Sequence, residues 1–305
     1  MVIYIVYNFK RGCAFKEYTL RKVRLMTLWQ SLLYGFIQGL TEFLPVSSSG
    51  HVAIAEALFG FDPGSSLPFT VLLHAGTLVS LIVVCRRKLA KLVRAFFTLV
   101  PKLFRRGFKL SEASADERML VFTLISTLPL VPAAAFKDRI ETAASDIRIV
   151  GAILIVNSVV LFLAGRLSRE DLPPEKVKIR HALAVGVSQA FALFPGLSRS
   201  GTTVSTGLFM GFEREYAAEF SFIMSIPAVL GACALDLPGF ISESAAGDPK
   251  QTAIFLAGAL AAALTGAGAI RLLFLIVRKN KFEIFSLYSL AAGVFAIAAG
   301  FAIKG

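Results

Sequence analysis

The sequence predicts an all-α, polytopic membrane protein, on three observations. The 305 residues are 56% hydrophobic, with 27 phenylalanines and a mean hydropathy of +0.71, outside the range of ordinary soluble domains. Six runs, 68 to 85, 119 to 136, 149 to 165, 220 to 235, 252 to 270 and 284 to 303, are apolar enough to cross a hydrocarbon core about 30 Å thick, a distance of roughly 20 helical residues. The basic residues gather between these runs, where they orient helices in a bilayer. Six helical spans are the expected minimum.

Taken in order, residues 1 to 25 are an extension and not a signal peptide, because the apolar MVIYIVY precedes the basic Lys10, Arg11, Lys16, Arg21, Lys22 and Arg24. Met26 is the expected start, and 26 to 305 the expected single membrane domain. The run 68 to 85 leads into 86 to 109, which carries nine Lys or Arg and no acid. The 271 to 281 connection carries four basic residues, whereas 237 to 249 has only Glu243 and Asp248. With the basic loops cytoplasmic, the six runs cross alternately inward and outward without conflict. The net charge of +12 is thus accounted for by orientation, with no nucleic-acid motif beside it. Cys13, Cys85 and Cys233 are an odd set with two inside runs, so they read as apolar filler and not as a disulfide framework.

The stretches from 35 to 69 and from 186 to 220 match each other. At an offset of 151 residues, Gly35 pairs with Gly186, Gln38 with Gln189, Phe43 with Phe194, Ser47 with Ser198, Ser49 with Ser200 and Gly50 with Gly201. Gly60 pairs with Gly211, Phe61 with Phe212 and Phe69 with Phe220, giving nine identities over 35 positions, too many for composition alone. The run after the first copy goes inward and the run after the second goes outward, so the copies are inverted, with repeats of about 27 to 165 and 180 to 303. The helical pieces 182 to 194 and 200 to 212 are about 20 Å long at 1.5 Å per residue, too short to cross. Each copy therefore reads as a re-entrant helix-loop-helix hairpin whose loop lies at mid-depth, where inverted repeats build binding sites.

The two loops carry different chemistry. In the second, FPGLSRSGTT at 194 to 203, Gly196 and Gly201 allow left-handed dihedrals and close approach, and Ser200, Thr202 and Thr203 stand where they would cap the following helix. A helix N-terminus beside Arg199 suits phosphate, because the dipole favours an anion and a guanidinium can bind two oxygens. In the first, TEFLPVSSSGH at 41 to 51, Glu42 is a candidate base or metal ligand. Ser47, Ser48 and Ser49 offer hydroxyls, and His51 suits proton transfer near neutrality. Serine, histidine and carboxylate together also fit nucleophilic catalysis. His74 reads as a partner of a backbone carbonyl on a neighbouring helix and His181 as solvated. Glu56 and Glu219 are the candidates for a second metal ligand.

TEFLPVSSSGH and PGLSRSGTT, in this order, resemble the bacterial undecaprenyl-diphosphate phosphatase family, also called the bacitracin-resistance protein family. FSFIMSIPAVLGA at 220 to 232 adds to the likeness, which runs from about Met26 to the C-terminus. The resemblance implies a multi-pass inner-membrane enzyme that hydrolyses undecaprenyl diphosphate to undecaprenyl phosphate and inorganic phosphate. This recycles the lipid carrier of cell-wall synthesis, confers bacitracin resistance and requires Mg²⁺ or Ca²⁺. The family's acidic motif falls on Gln38 and Glu42, its serines on Ser47 and Ser48, its histidine on His51, and its arginine motif on Pro195, Gly196, Ser198, Arg199, Ser200 and Thr203. Gln38 stands where some relatives carry glutamate, so Glu42 is left to hold the ion with substrate oxygens and water.

On this reading Glu42, Ser48, His51 and Arg199 are catalytic, and Gln38, Ser47, Ser198, Arg199, Ser200, Gly201, Thr202 and Thr203 bind substrate. The nucleophile is Ser48 with His51 as its base, or a water activated by Glu42 or His51. The expected partners are a polyprenyl diphosphate and membrane lipids, with no nucleic acid; a homodimer is the one protein assembly admitted, and the site opens to the periplasmic side. The rival reading is a transporter or flippase of a phosphorylated polyprenyl lipid, since inverted hairpins are also a transporter architecture.

Overall fold

The computed structural model describes residues 26–60, 67–105, 109–136, 140, 146–245, 248–279 and 281–304; the N-terminal extension with Cys13, and Phe61 of the repeat, lie outside them. Among the described residues the chain is helical, with a single isolated bridge between Leu172 and Phe212.

Helix α1 (Leu28–Phe43) starts at a capping box, in which Thr27 accepts from the Gln30 amide and the Gln30 side chain accepts from the Thr27 amide. Pro45 follows its end, and α2 (Ser48–Phe59) opens on Ser47 and closes on Gly60 in the left-handed conformation. Helix α3 (Leu67–Val84) turns by 83° into α4 (Arg86–Leu103). A second capping box, Ser114 with Glu117, starts α5 (Ala115–Thr127), and α6 (Leu130–Ala134) is a short continuation. Helix α7 (Ile147–Leu167) is capped by Asp146. Helices α8 (Ile179–Phe191) and α9 (Arg199–Phe209) form the second short pair. The chain ends with α10 (Arg214–Ala245), α11 (Pro249–Arg278) and α12 (Glu283–Lys304).

Among the described residues four helices, Ile147–Leu167, Arg214–Ala234, Pro249–Arg278 and Glu283–Ile303, are long and apolar enough to span a membrane, and a fifth results if the bent α3–α4 pair is one span. The expected count of six falls short at 119 to 136. Pro129 has no N–H with which to continue the helical ladder, so α5 ends at Thr127 and only the five residues of α6 follow. The lipid-compatible surface is plain in α11 and α12, where Leu260, Leu264, Leu287 and Phe301 are all exposed.

Small residues bring the helices together, as expected where solvent cannot drive apolar association. A Cβ on Gly35 of α1 would lie 2.1 Å from the Gly258 carbonyl oxygen of α11, and one on Gly186 of α8 would lie 2.4 Å from the Ser126 carbonyl oxygen of α5. Helices α7 and α12 meet reciprocally, with a Cβ on Gly151 2.7 Å from the Gly293 oxygen and one on Gly293 2.7 Å from the Gly151 oxygen. The first short pair is thereby pressed against α11 and the second against α5, and the loop of the first pair, Leu44 to Ser47, is buried.

Candidate active site

The two short pairs are built alike. Ser47 accepts from the Gly50 amide at 3.2 Å and Ser198 from the Gly201 amide at 3.1 Å, so the matched serines are the N-caps of α2 and α9. The Ser47 and Ser49 hydroxyls are 3.3 Å apart, those of Ser198 and Ser200 3.2 Å. The matched Ser49 and Ser200 then reach into the other loop: Ser49 accepts from the Gly196 amide at 3.4 Å, and Ser200 donates to the Leu44 carbonyl at 3.2 Å.

Asn157, fully buried on α7, clamps both loops at once. Its Nδ2 donates to the Pro45 carbonyl at 3.1 Å and to Ser289 Oγ at 3.3 Å, while Oδ1 accepts from the Ser198 amide at 3.2 Å. Gly196 has φ +96°, and a Cβ there would lie 2.7 Å from the Val150 oxygen, so both its dihedral and its closeness require glycine. Ser47 sits at φ +72°, a strained value for serine that its place between cap and loop maintains.

The ionic centre joins the two pairs. Arg199 Nη2 donates to Glu42 Oε1 at 2.5 Å. On the other carboxylate oxygen, Oε2, Ser48 Oγ donates at 2.7 Å and Gln38 Nε2 at 3.0 Å. Gln38 Nε2 also lies 3.5 Å from His74 Nδ1, so His74 faces a side-chain amide near the carboxylate and not the backbone carbonyl expected of it. The Glu42 side chain is 8% exposed and that of Arg199 21%, a desolvated setting in which charge-assisted hydrogen bonds are at their strongest.

Several expectations change. The hydroxyl of Ser48 goes to Glu42 and not to His51, because α2 begins at Ser48 and turns His51 away: its Nδ1 lies 2.8 Å from the Ser47 carbonyl and its Nε2 2.8 Å from the Tyr288 hydroxyl. The rings of His51 and Tyr288 stack, 5.5 Å apart and 7° from parallel. Ser200, Thr202 and Thr203 do not cap α9, since the helix begins one residue earlier, at Arg199, with Ser198 as the cap. Ser198 also engages the amides of Gly201 and Thr202, the latter through its carbonyl at 2.8 Å, so those two N–H groups are already bonded. Thr203 Oγ1 bonds the Arg199 carbonyl and Ser221 Oγ instead. Gly201 is not left-handed, although its closeness to Pro45 and Asn157 is real. His181 is buried, its ring edge-on to Phe212 and its Nδ1 accepting from the Lys178 amide.

Two site residues were not anticipated. Asn157 carries a readable signal, an amide in the middle of the apolar run 149 to 165, where a polar group is costly unless paired. Tyr288 carries none, because a tyrosine near the end of a span equally suits the membrane interface.

The residues fit a divalent cation in one manner only. Among the described residues no three His, Cys, Asp or Glu side chains gather as a ligand set, and neither Glu56 nor Glu219 joins Glu42; Glu219 instead pairs with Lys88 at 3.4 Å. A single carboxylate suits Mg²⁺ completed by phosphate oxygens and waters, and excludes a cage made by the protein alone.

A family model for bacitracin resistance protein BacA matches residues 31–295, both short helix pairs included. The chain belongs to the BacA family. Similar curated proteins named undecaprenyl-diphosphatase include that of Syntrophotalea carbinolica, 38% identical over 275 residues (88% of this chain, 98% of the relative). That of Corynebacterium efficiens is 37% identical over 271 residues (88% and 89%), and that of Methanobrevibacter smithii 35% over 272 (88% and 96%). The BacA match covers the whole ionic centre, from Gln38 to Tyr288.

Proposed function

We propose that this chain hydrolyses undecaprenyl diphosphate to undecaprenyl phosphate and inorganic phosphate, recycling the lipid carrier of cell-wall synthesis and thereby conferring bacitracin resistance. The observation that carries this reading is the continuous chain Arg199–Glu42–Ser48, in which a cation, a carboxylate and a hydroxyl from the two short helix pairs share one polar centre. Arg199 has the planar fork to grip two oxygens of a diphosphate, assisted by the α9 N-terminus. Ser48 is the nucleophile: its Oγ bonds to the terminal phosphorus, the bond to the bridging oxygen breaks, undecaprenyl phosphate departs, and the Ser48 proton passes to Glu42, which already accepts it in a hydrogen bond. Water then attacks the phosphoserine and returns the hydroxyl. A bound Mg²⁺ or Ca²⁺, held by Glu42 and phosphate oxygens, would supply charge neutralisation.

The two short pairs are read as re-entrant hairpins of inverted halves, about 27 to 165 and 180 to 303, with their loops at mid-depth in the inner membrane and open to the periplasmic side. The matched caps and the reciprocal Ser49 and Ser200 bonds support this, as does the basic charge between the helices.

The test is phosphate release from a polyprenyl diphosphate by detergent-purified protein, with and without chelator. Glu42→Gln is expected to lower turnover at least about a hundredfold, the usual scale for losing an acid–base group, and Arg199→Lys to lower it strongly because an ammonium has no two-point grip. Near-normal release by Glu42→Gln would overturn the mechanism. Lipid translocation without phosphate release would make the protein a carrier, and indifference to chelator would remove the cation.

A further inference from the structure

Helix α4 plays no part in the ionic centre, and its surface is divided in an unusual way. Leu92, Ala95 and Leu99 are buried and form the stripe that packs on the protein. Lys88, paired with Asp116 at 3.0 Å, and Lys102, paired with Glu117 at 2.8 Å, fasten the helix to α5 at both ends. The remaining surface holds two further stripes side by side. One is basic: Arg87, Lys91 and Arg94, exposed and spaced four and three apart so that they share a face. None of the three has an ion-pair partner among the described residues, and α4 contains no Asp or Glu. The other is apolar and equally exposed: Val93 at 57%, Phe96 at 50%, Phe97 at 69% and Leu103 at 58%.

Six Lys or Arg in 18 residues make α4 a poor bilayer-crossing helix. The 83° turn from α3, a long apolar helix, carries it away from the span direction. A helix with one apolar and one cationic face, lying across the end of a span, has the composition of a segment seated in the membrane interface.

We propose that α4 is an interfacial binding surface for anionic phospholipid headgroups, with Val93, Phe96, Phe97 and Leu103 sunk among the acyl chains and Arg87, Lys91 and Arg94 holding the phosphates. The occupant is chosen by charge: three unpaired cations beside an apolar stripe complement a negatively charged headgroup layer and repel another copy of the same stripe. The surface is distinct from the Glu42–Arg199 centre and does not depend on the phosphatase reading.

The full chain with Trp29→Phe and Phe97→Trp has a single tryptophan, placed on the apolar stripe. Reconstituted in nanodiscs, it is titrated with brominated phosphatidylglycerol or brominated phosphatidylcholine at equal mole fractions. The expected result is stronger quenching by the anionic lipid, a bias that 0.5 M salt removes. Adding Arg87→Gln, Lys91→Gln and Arg94→Gln is expected to weaken the preference about a hundredfold, at about fivefold per cation. Equal quenching by the two lipids at low salt would overturn the proposal. So would weak quenching by both together with a dependence on protein concentration, which would mean that a second copy covers the stripe. The salt comparison needs only the reporter protein, so the proposal stays testable if the triple variant fails to fold.

Discussion

The His51 imidazole has two nitrogens with two partners, and one of them fixes the tautomer. The Ser47 carbonyl can only accept, so Nδ1 carries the proton and Nε2 presents its lone pair to the Tyr288 hydroxyl. The basic nitrogen therefore accepts from the hydroxyl of Tyr288, which is 49% exposed, so that the tyrosine fixes the orientation of the ring from α12. Tyr288→Phe is expected to lower phosphate release about tenfold. In a His51→Ala background the same change is expected to cost nothing further, the pattern of residues that work as a pair. Independent, multiplying losses would show that the tyrosine acts elsewhere. At this scale the motif residues Glu42, Ser48 and Arg199 were legible because charge and hydroxyl in an apolar chain have few other uses. The partner of Ser48 was not legible, because which side of α2 His51 faces depends on the helix starting at Ser48, and sequence spacing leaves a start uncertain by a residue or two.

Glycine contacts set the spacing between helices, and they separate sharply by position. Gly35→Ala would drive a methyl group into the Gly258 backbone and is expected to destabilise the protein by about 1–3 kcal/mol through overpacking. Gly268→Ala, on the same partner helix α11 but with nothing within 4 Å, is expected to leave the melting temperature unchanged or raise it. Equal effects would mean that the α1–α11 contact is looser than described. Between α4 and α5 the fastening is electrostatic. Burial of Glu117 works against its charge, but hydrogen bonds from Lys102, the Ser114 amide and Thr98 outweigh it and hold the carboxyl at about 2. Because that value lies below the ordinary 4.5, the ionised group stabilises the folded state above pH 4.5, and the contribution is lost as the pH falls toward 2. Glu117→Gln is expected to cost about 2 kcal/mol at pH 7 and to flatten the stability profile between pH 4.5 and 2.5; an unchanged acid limb would count against the pair.

Over the whole molecule, the match between the two short helix pairs was the most legible feature, since Ser47 and Ser198, 151 apart in sequence, turn out to make the same cap. The span count was less so, because an apolar run states only that a segment tolerates lipid, and Pro129 divided one run that hydropathy had treated as whole. What joins the two loops is the Asn157 amide, with hydrogen bonds to Pro45 of one, Ser198 of the other and Ser289 of α12. Asn157→Ala would leave the Pro45 carbonyl and Ser198 amide unpaired and is expected to cost about 2–3 kcal/mol, read as a lower melting temperature together with a fall in turnover. Loss of stability with full activity would show that the loops keep their arrangement without the clamp.

The bond between Glu42 and Arg199 also bears on how a cycle finishes. An internal anion competes for the guanidinium, so an incoming ligand must outbid it, and a compact orthophosphate has fewer oxygens with which to do so than a diphosphate. On the proposed mechanism the carboxylate would thereby act as a tethered ejector, returning to its cation as each spent phosphate leaves.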